Sequence, residues 1–243
     1  GLLSLLGPLP FFLPYLLLFL LVLLTLVVLQ RYPRSLEKRY FDHCDPEPYL
    51  AFFQAYLRRP GLSPDALANA RLSITAALCD LGRYPEAQAQ LELLDPGALP
   101  PYPRLAYWHD SLYLRLRRDP RAPAALSPLL AQAEAAARAL PQPMPQAQRT
   151  LLHDRLLLRF LEEGASPDLE AQLTSLLSQA ENQLSRVHYH LTLAQCALSL
   201  GDRPAAQEHL NYILTHGNKL HARTQAAELW AQQGFPPSTE PPA

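Results

Sequence analysis

Apolar residues follow two different patterns along this chain, and the change between them divides it. From Leu2 to Leu29 there is no charged side chain, and Leu16 to Leu24 form an unbroken apolar block. Beyond Arg31 the apolar positions return at steps of three and four, the spacing of one helix face. No bounded run of alternating apolar and polar residues occurs there, and β-branched residues are scarce, so a sheet is not expected. The periodicity predicts helices over residues 46–58, 64–81, 84–94, 102–118, 122–140, 146–163, 167–183, 186–200, 203–216 and 219–233. Ser63-Pro64-Asp65, Ser127-Pro128 and Ser166-Pro167-Asp168 each place a hydroxyl before a proline at the first helical position, where the missing N–H costs nothing.

The uncharged run has the length of a membrane span. Pro10 to Leu29 is 20 residues, which as a helix measures roughly 30 Å, the thickness of a bilayer's hydrocarbon core. A cleaved secretory signal would have a shorter apolar region behind a basic stretch, and neither is present. Residues 1–30 are therefore expected to be a retained transmembrane anchor, with residues 31–41 a basic juxtamembrane linker. Arg31, Arg34, Lys38 and Arg39 against the single Glu37 form the membrane flank, and this bias places the C-terminal part in the cytoplasm. Three cysteines, Cys44, Cys79 and Cys196, fit a reducing compartment better than a disulfide framework. Residues 42–234 then form a helical domain, and residues 235–243, with Pro236, Pro237, Pro241 and Pro242, a flexible tail.

Charge narrows the function. A net charge of −1 gives no basic footprint for nucleic acid. No phosphate-binding glycine loop, dinucleotide fingerprint, zinc-protease pair or nucleophile elbow is present, so neither catalysis, cofactor, metal nor small-molecule substrate is expected. The strongest metal alternative is the histidine density of His188, His190, His209, His216 and His221. On helices His209 and His216 share a face, but His188 and His190 do not. In the trio His43, Cys44 and Asp45, neighbouring residues do not converge as ligands, so Asp42 and Asp45 read as caps and Cys44 as a buried thiol.

Two helix pairs carry a repeated pattern. The first places Ile74 and Leu78 on one face, turns through Gly82 and Tyr84, and returns through Ala87 and Leu91. The second runs Leu193, Ala194, Gly201, Ala206 and Leu210 in the same order. Each has a Leu-Gly helix end and an alanine five residues later, small enough for two helices to approach closely. Both blocks resemble the tetratricopeptide repeat. They depart from it at Arg71 and His190, where a large aromatic is usual, and Gly82 and Gly201 lie 119 residues apart, not a whole number of repeats of about 34. The resemblance implies an all-α fold: a tetratricopeptide-like α-solenoid of antiparallel helix pairs behind the transmembrane helix.

It also implies a role. Proteins with this repeat mediate protein contacts, so the expectation is a membrane-anchored scaffold or adaptor that binds a protein partner in a helical-repeat groove. The same domain outside the membrane, in envelope or secretion-complex assembly, is the alternative. Tyr102, Tyr107, Trp108 and Tyr113 share one predicted helix with Arg115, Arg117 and Arg118. Tyr, Trp and Arg are the residues of binding hot spots, which makes Tyr107, Trp108, Arg115 and Arg118 candidates for partner contact.

Overall fold

Capping chemistry sets most of the helix starts. Ser63 Oγ accepts from Ala66 N at 3.2 Å and Ser166 Oγ from Leu169 N at 3.2 Å, each ahead of a helix that opens on proline. Asn182 and Asp202 do the same for two further helices, accepting from Ser185 N at 2.9 Å and Ala205 N at 3.0 Å. Ser127 departs from the expectation: it lies inside the helix, behind Leu126, and its hydroxyl sits 3.5 Å from Glu162.

This computed structural model describes residue 19 and residues 34–118 and 126–236. Two compact units divide the chain, Gly1–Lys38 and Arg39–Ala243. Of the first, Phe19 and residues 34–38 are described, all of them helical. The second contains ten helices among the described residues: α1 (Glu47–Leu57), α2 (Pro64–Asp80), α3 (Tyr84–Leu91), α4 (Pro101–Arg118), α5 (Ser127–Arg138), α6 (Pro145–Glu163), α7 (Pro167–Ser178), α8 (Gln183–Leu200), α9 (Arg203–His216) and α10 (His221–Gln232). The helix α7 ends at Ser178 instead of 183, because the side chains of Ser178 and Gln179 turn back to the Ser175 carbonyl and satisfy it there.

The fold class is all-α, but the membrane-spanning part of the expectation is corrected. Among the described residues no helix is long and apolar enough to cross a membrane. The reason is visible in the longest of them: α4 carries Arg104, Asp110, Arg115 and Arg117, α6 carries Arg149, Asp154, Arg155 and Arg159, and α8 carries Gln183, Arg186, His188, His190 and Gln195 among its leucines. The expected single-pass span is therefore not found among the described residues. Apart from Phe19, the expected span at residues 1–30 lies outside the described residues, as do Arg31, the stretch 119–125 and the tail from 237. Arg34 and Lys38 are exposed, and residues 34–41, expected as a linker, are helical. Arg39 pairs with Asp45 at 2.8 Å.

Each helix packs on its successor, and α2 also packs on α4, α6 on α8 and α8 on α10, so alternate helices form an inner layer. The core follows this order in four clusters. Tyr40, Leu50, Ile74, Leu78, Ala87 and Leu91 form the first, across α1 to α4. Leu112, Leu126, Ala133 and Leu158 fill the space among α4, α5 and α6, and Leu156, Leu169, Leu173, Leu176 and Leu193 that among α6, α7 and α8. The last cluster joins Val187, Leu210, Ile213 and Ala226 of α8 to α10 with Cys44, from the segment before α1.

That final contact returns the array on itself. Lys219 N donates to the Cys44 carbonyl at 3.2 Å, and Asn218 Nδ2 to the His43 carbonyl at 2.8 Å. Lys219 Nζ adds ion pairs to Asp45 and Glu47. Cys44 adopts φ +52°, an uncommon value for a residue with a Cβ, and is fully buried there. The concave face expected of a solenoid is in this fold the inner wall of a ring.

A candidate binding cavity framed by alternate helices

The inner wall is built from a second periodicity. On α2 the residues Asn69, Ser73, Ala76 and Asp80 recur at steps of three and four, as do Tyr102, Ala106, His109, Tyr113 and Arg117 on α4. Gln146, Thr150, His153 and Leu157 repeat the spacing on α6, and Ser185, His188, Thr192 and Gln195 on α8. Each helix therefore turns one stripe inward, polar where the opposite stripe is apolar. Together they line a cavity of about 670 Å³ to which α3, α5, α7 and α9 contribute nothing. Tyr40, Phe41 and Tyr49 close one side with a group of stacked and tilted rings whose centroids are 4.8 to 6.4 Å apart.

Three carboxylates face this space. Asp80 accepts from the Tyr40 hydroxyl at 2.5 Å and from His188 Nε2 at 2.9 Å. Burial and the neighbouring Asp80 both raise the Tyr40 pKa well above the usual phenol value. Asp154, buried, accepts from His109 Nδ1 at 2.7 Å. Burial opposes a charge on the His109 ring, but the carboxylate and its hydrogen bond outweigh this, and the pKa rises to about 9. The third, Asp110, is pushed up to about 7 by burial, with His109 opposing and the charges of Asp80 and Asp154 adding to the shift.

Other groups divide along the same lines. His153 Nε2 lies 3.0 Å from Thr192 Oγ1, and burial holds its pKa down at about 4. Arg117 lies over the Tyr113 ring, its Cζ 5.0 Å from the centroid. All three cysteines are buried, Cys79 at the cavity wall, and burial pushes Cys44 up to about 12.

Of the hot-spot candidates on α4, Tyr107, Trp108 and Arg115 do not line the cavity. Tyr107 packs against the first core cluster and Trp108 against the α4–α6 cluster, their rings edge to face at 5.0 Å. Arg115 is exposed and Arg118 is the last residue of α4. Their neighbours on the inner stripe, Tyr113 and Arg117, are the ones at the cavity. Of the repeat residues, Ile74, Leu78, Ala87 and Leu91 lie in the first cluster, Leu193 in the third, and Ala194 and Leu210 in the last. Ala206 is fully buried and Gly201 caps α8 in the left-handed region, while Gly82 and Tyr84 meet His221 of α10.

The C-terminal histidines separate. His188 reaches Asp80 in the cavity, whereas His190 and His209 pair at 2.9 Å beside the Tyr212 ring. His216 packs on Tyr212 and His221 under Gly82. Among the described residues no group of three His, Cys, Asp or Glu side chains is placed to hold a metal ion.

The polar stripe did leave a trace in the sequence, the dipeptide His-Asp at His109-Asp110 and again at His153-Asp154. No family model, curated protein or solved structure matches the chain.

Proposed function

We propose that the protein is a non-catalytic binding module that takes a short segment of a partner protein into the cavity between α2, α4, α6 and α8. The observation that carries this reading is the convergence of four polar and aromatic stripes, from α2, α4, α6 and α8, on a single space of about 670 Å³. Ligand cavities run from roughly 300 to 1,000 Å³, mostly apolar with a few placed polar groups, and this one lies within that range. The resemblance of residues 74–91 and 193–210 to a protein-contact repeat supports the same reading, as an analogy of fold.

The hydrogen bonds do not assemble a Thr–His–Asp relay. A Thr–His–Asp relay would need one imidazole bonded to both partners. His153 meets Thr192, but Asp154 is bonded to His109 instead, and Thr192 donates to the His188 carbonyl at 3.3 Å.

Selecting a displayed peptide library on the full chain tests the proposal. Ala106→Trp, on the cavity wall of α4, is the discriminating variant. The expected result is a peptide family binding with Kd on the order of 1–10 μM, weakened more than tenfold by Ala106→Trp while near-UV circular dichroism stays the same. Failure to enrich any peptide, or equal binding to the variant, refutes the reading.

A further inference from the structure

Counting partners around the cavity leaves one carboxylate over. Asp80 is bonded to Tyr40 and His188, and Asp154 to His109. Asp110 lines the same space with 7 % exposure, and no described residue donates a hydrogen bond to it. Its neighbour His109 is committed to Asp154. Arg117 lies seven residues along α4, about 10 Å by helical rise, and is engaged with Tyr113. A carboxylate this buried normally has a cationic or hydrogen-bonding partner, because leaving one unpaired costs free energy.

The surroundings indicate what is missing. Tyr40, Phe41, Tyr49 and Tyr113 line the cavity around the carboxylates, and aromatic faces attract cations as well as apolar stems. We propose that the cavity recognises an organic cation, a primary ammonium or guanidinium on an apolar or aromatic stem, with Asp110 as its counter-ion. This rests on reading the cavity as a binding site and names the chemistry of what enters it. The cation is either a lysine or arginine side chain of a partner segment or a free amine, and the two sources share this recognition.

Proton linkage follows from the same geometry. The titratable and charged groups that line the cavity with Asp110 are Tyr102, His109, Tyr113 and Arg117 on its own helix, Cys79 and Asp80 on α2, His153 and Asp154 on α6 and His188 and Tyr189 on α8, with Tyr40 and Tyr49 at the side. A bound cation favours the ionised form of Asp110, so binding releases a proton wherever the empty site holds one. Affinity for the cation should therefore fall about tenfold from pH 8 to pH 6.

Calorimetric titration of the full chain and Asp110→Asn decides the matter with two matched pairs of probes. Tyramine is compared with 4-ethylphenol, which lacks the ammonium, and acetyl-Ala-Lys-Tyr-Ala-amide with the same peptide carrying norleucine in place of lysine. At pH 8 at least one cationic probe should bind tenfold or more tightly than its neutral match, and Asp110→Asn should abolish that preference without weakening the neutral probe. Preference for tyramine alone identifies a free amine, and preference for the lysine peptide alone a partner side chain. Equal binding of charged and neutral probes, or a preference that survives in Asp110→Asn, overturns the counter-ion assignment and leaves the cavity reading standing. Absence of binding by all four probes overturns the assignment as well. The peptide selection against Ala106→Trp judges the cavity separately.

Discussion

His188 Nε2 donates to Asp80 Oδ1 at 2.9 Å across 108 residues of chain, tying the end of α2 to α8. The other oxygen of Asp80 accepts from Tyr40, which is 2 % exposed. One carboxylate thus holds the segment before α1, the second helix and the eighth.

Asp80→Ala removes both acceptors and strands the buried Tyr40 hydroxyl. It should destabilise the chain by about 2 kcal/mol in urea unfolding. Asp80→Asn keeps an acceptor for one partner and should cost less. Equal stability of wild type and Asp80→Ala would show that the ring does not depend on this contact.

Gly82 combines a backbone and a packing constraint. Its φ is +72°, and a Cβ there would lie 2.6 Å from Cγ of His221. Gly82→Ala should cost about 2–3 kcal/mol by strain and clash. Gly201 has φ +81° with nothing within 4 Å, so Gly201→Ala should cost only about 1 kcal/mol. Adding His221→Ala to Gly82→Ala should recover the difference; a double variant no more stable than Gly82→Ala would place the strain in the backbone alone.

Stability should decline with rising pH on account of His109. Its pKa is raised to about 9 in the fold, so the contribution of its pair with Asp154 is complete below the unfolded value near 6.5 and is lost as pH climbs through about 9. His153 acts in the opposite direction. Its depressed value of about 4 gives stability present above 6.5 and lost as pH falls toward 4. Melting curves of wild type and His109→Gln between pH 6 and 10 should converge at the alkaline end. Parallel curves over that range would mean the ion pair adds nothing.

Ala87 and Ala206 are both fully buried. Ala87→Trp and Ala206→Trp should each lower stability by about 1–3 kcal/mol through overpacking. Wild-type melting in either variant would show that its helix has room to shift.

Local features were the legible ones. Helix limits follow from three-and-four spacing and from caps such as Ser63 and Ser166, both of which act within one turn. The return of residues 43–47 to Asn218 and Lys219 is the sum of small rotations along nine helix contacts, and no single residue encodes it. The inner stripe was legible in principle. His109 and Asp154 are single polar positions on separate helices, and they meet only when α4 and α6 stand side by side. Composition singles out Tyr107 and Trp108, but their positions on α4 turn them into two cores and leave the cavity to Ala106, His109, Tyr113 and Arg117. The apolar N-terminal run pointed to a span, and the described helices, charged on one face, provide none.

An open array of helical repeats has two terminal units with a single neighbour each, and it frays from those ends. Here Cys44 is packed into the cluster formed by α8, α9 and α10, so neither end of the array from residue 39 onward stands alone. Losing any one helix breaks interfaces on both of its sides. Such a fold has no weakest end from which to unzip, and slow amide exchange should be shared between α1 and α10 instead of fading toward either.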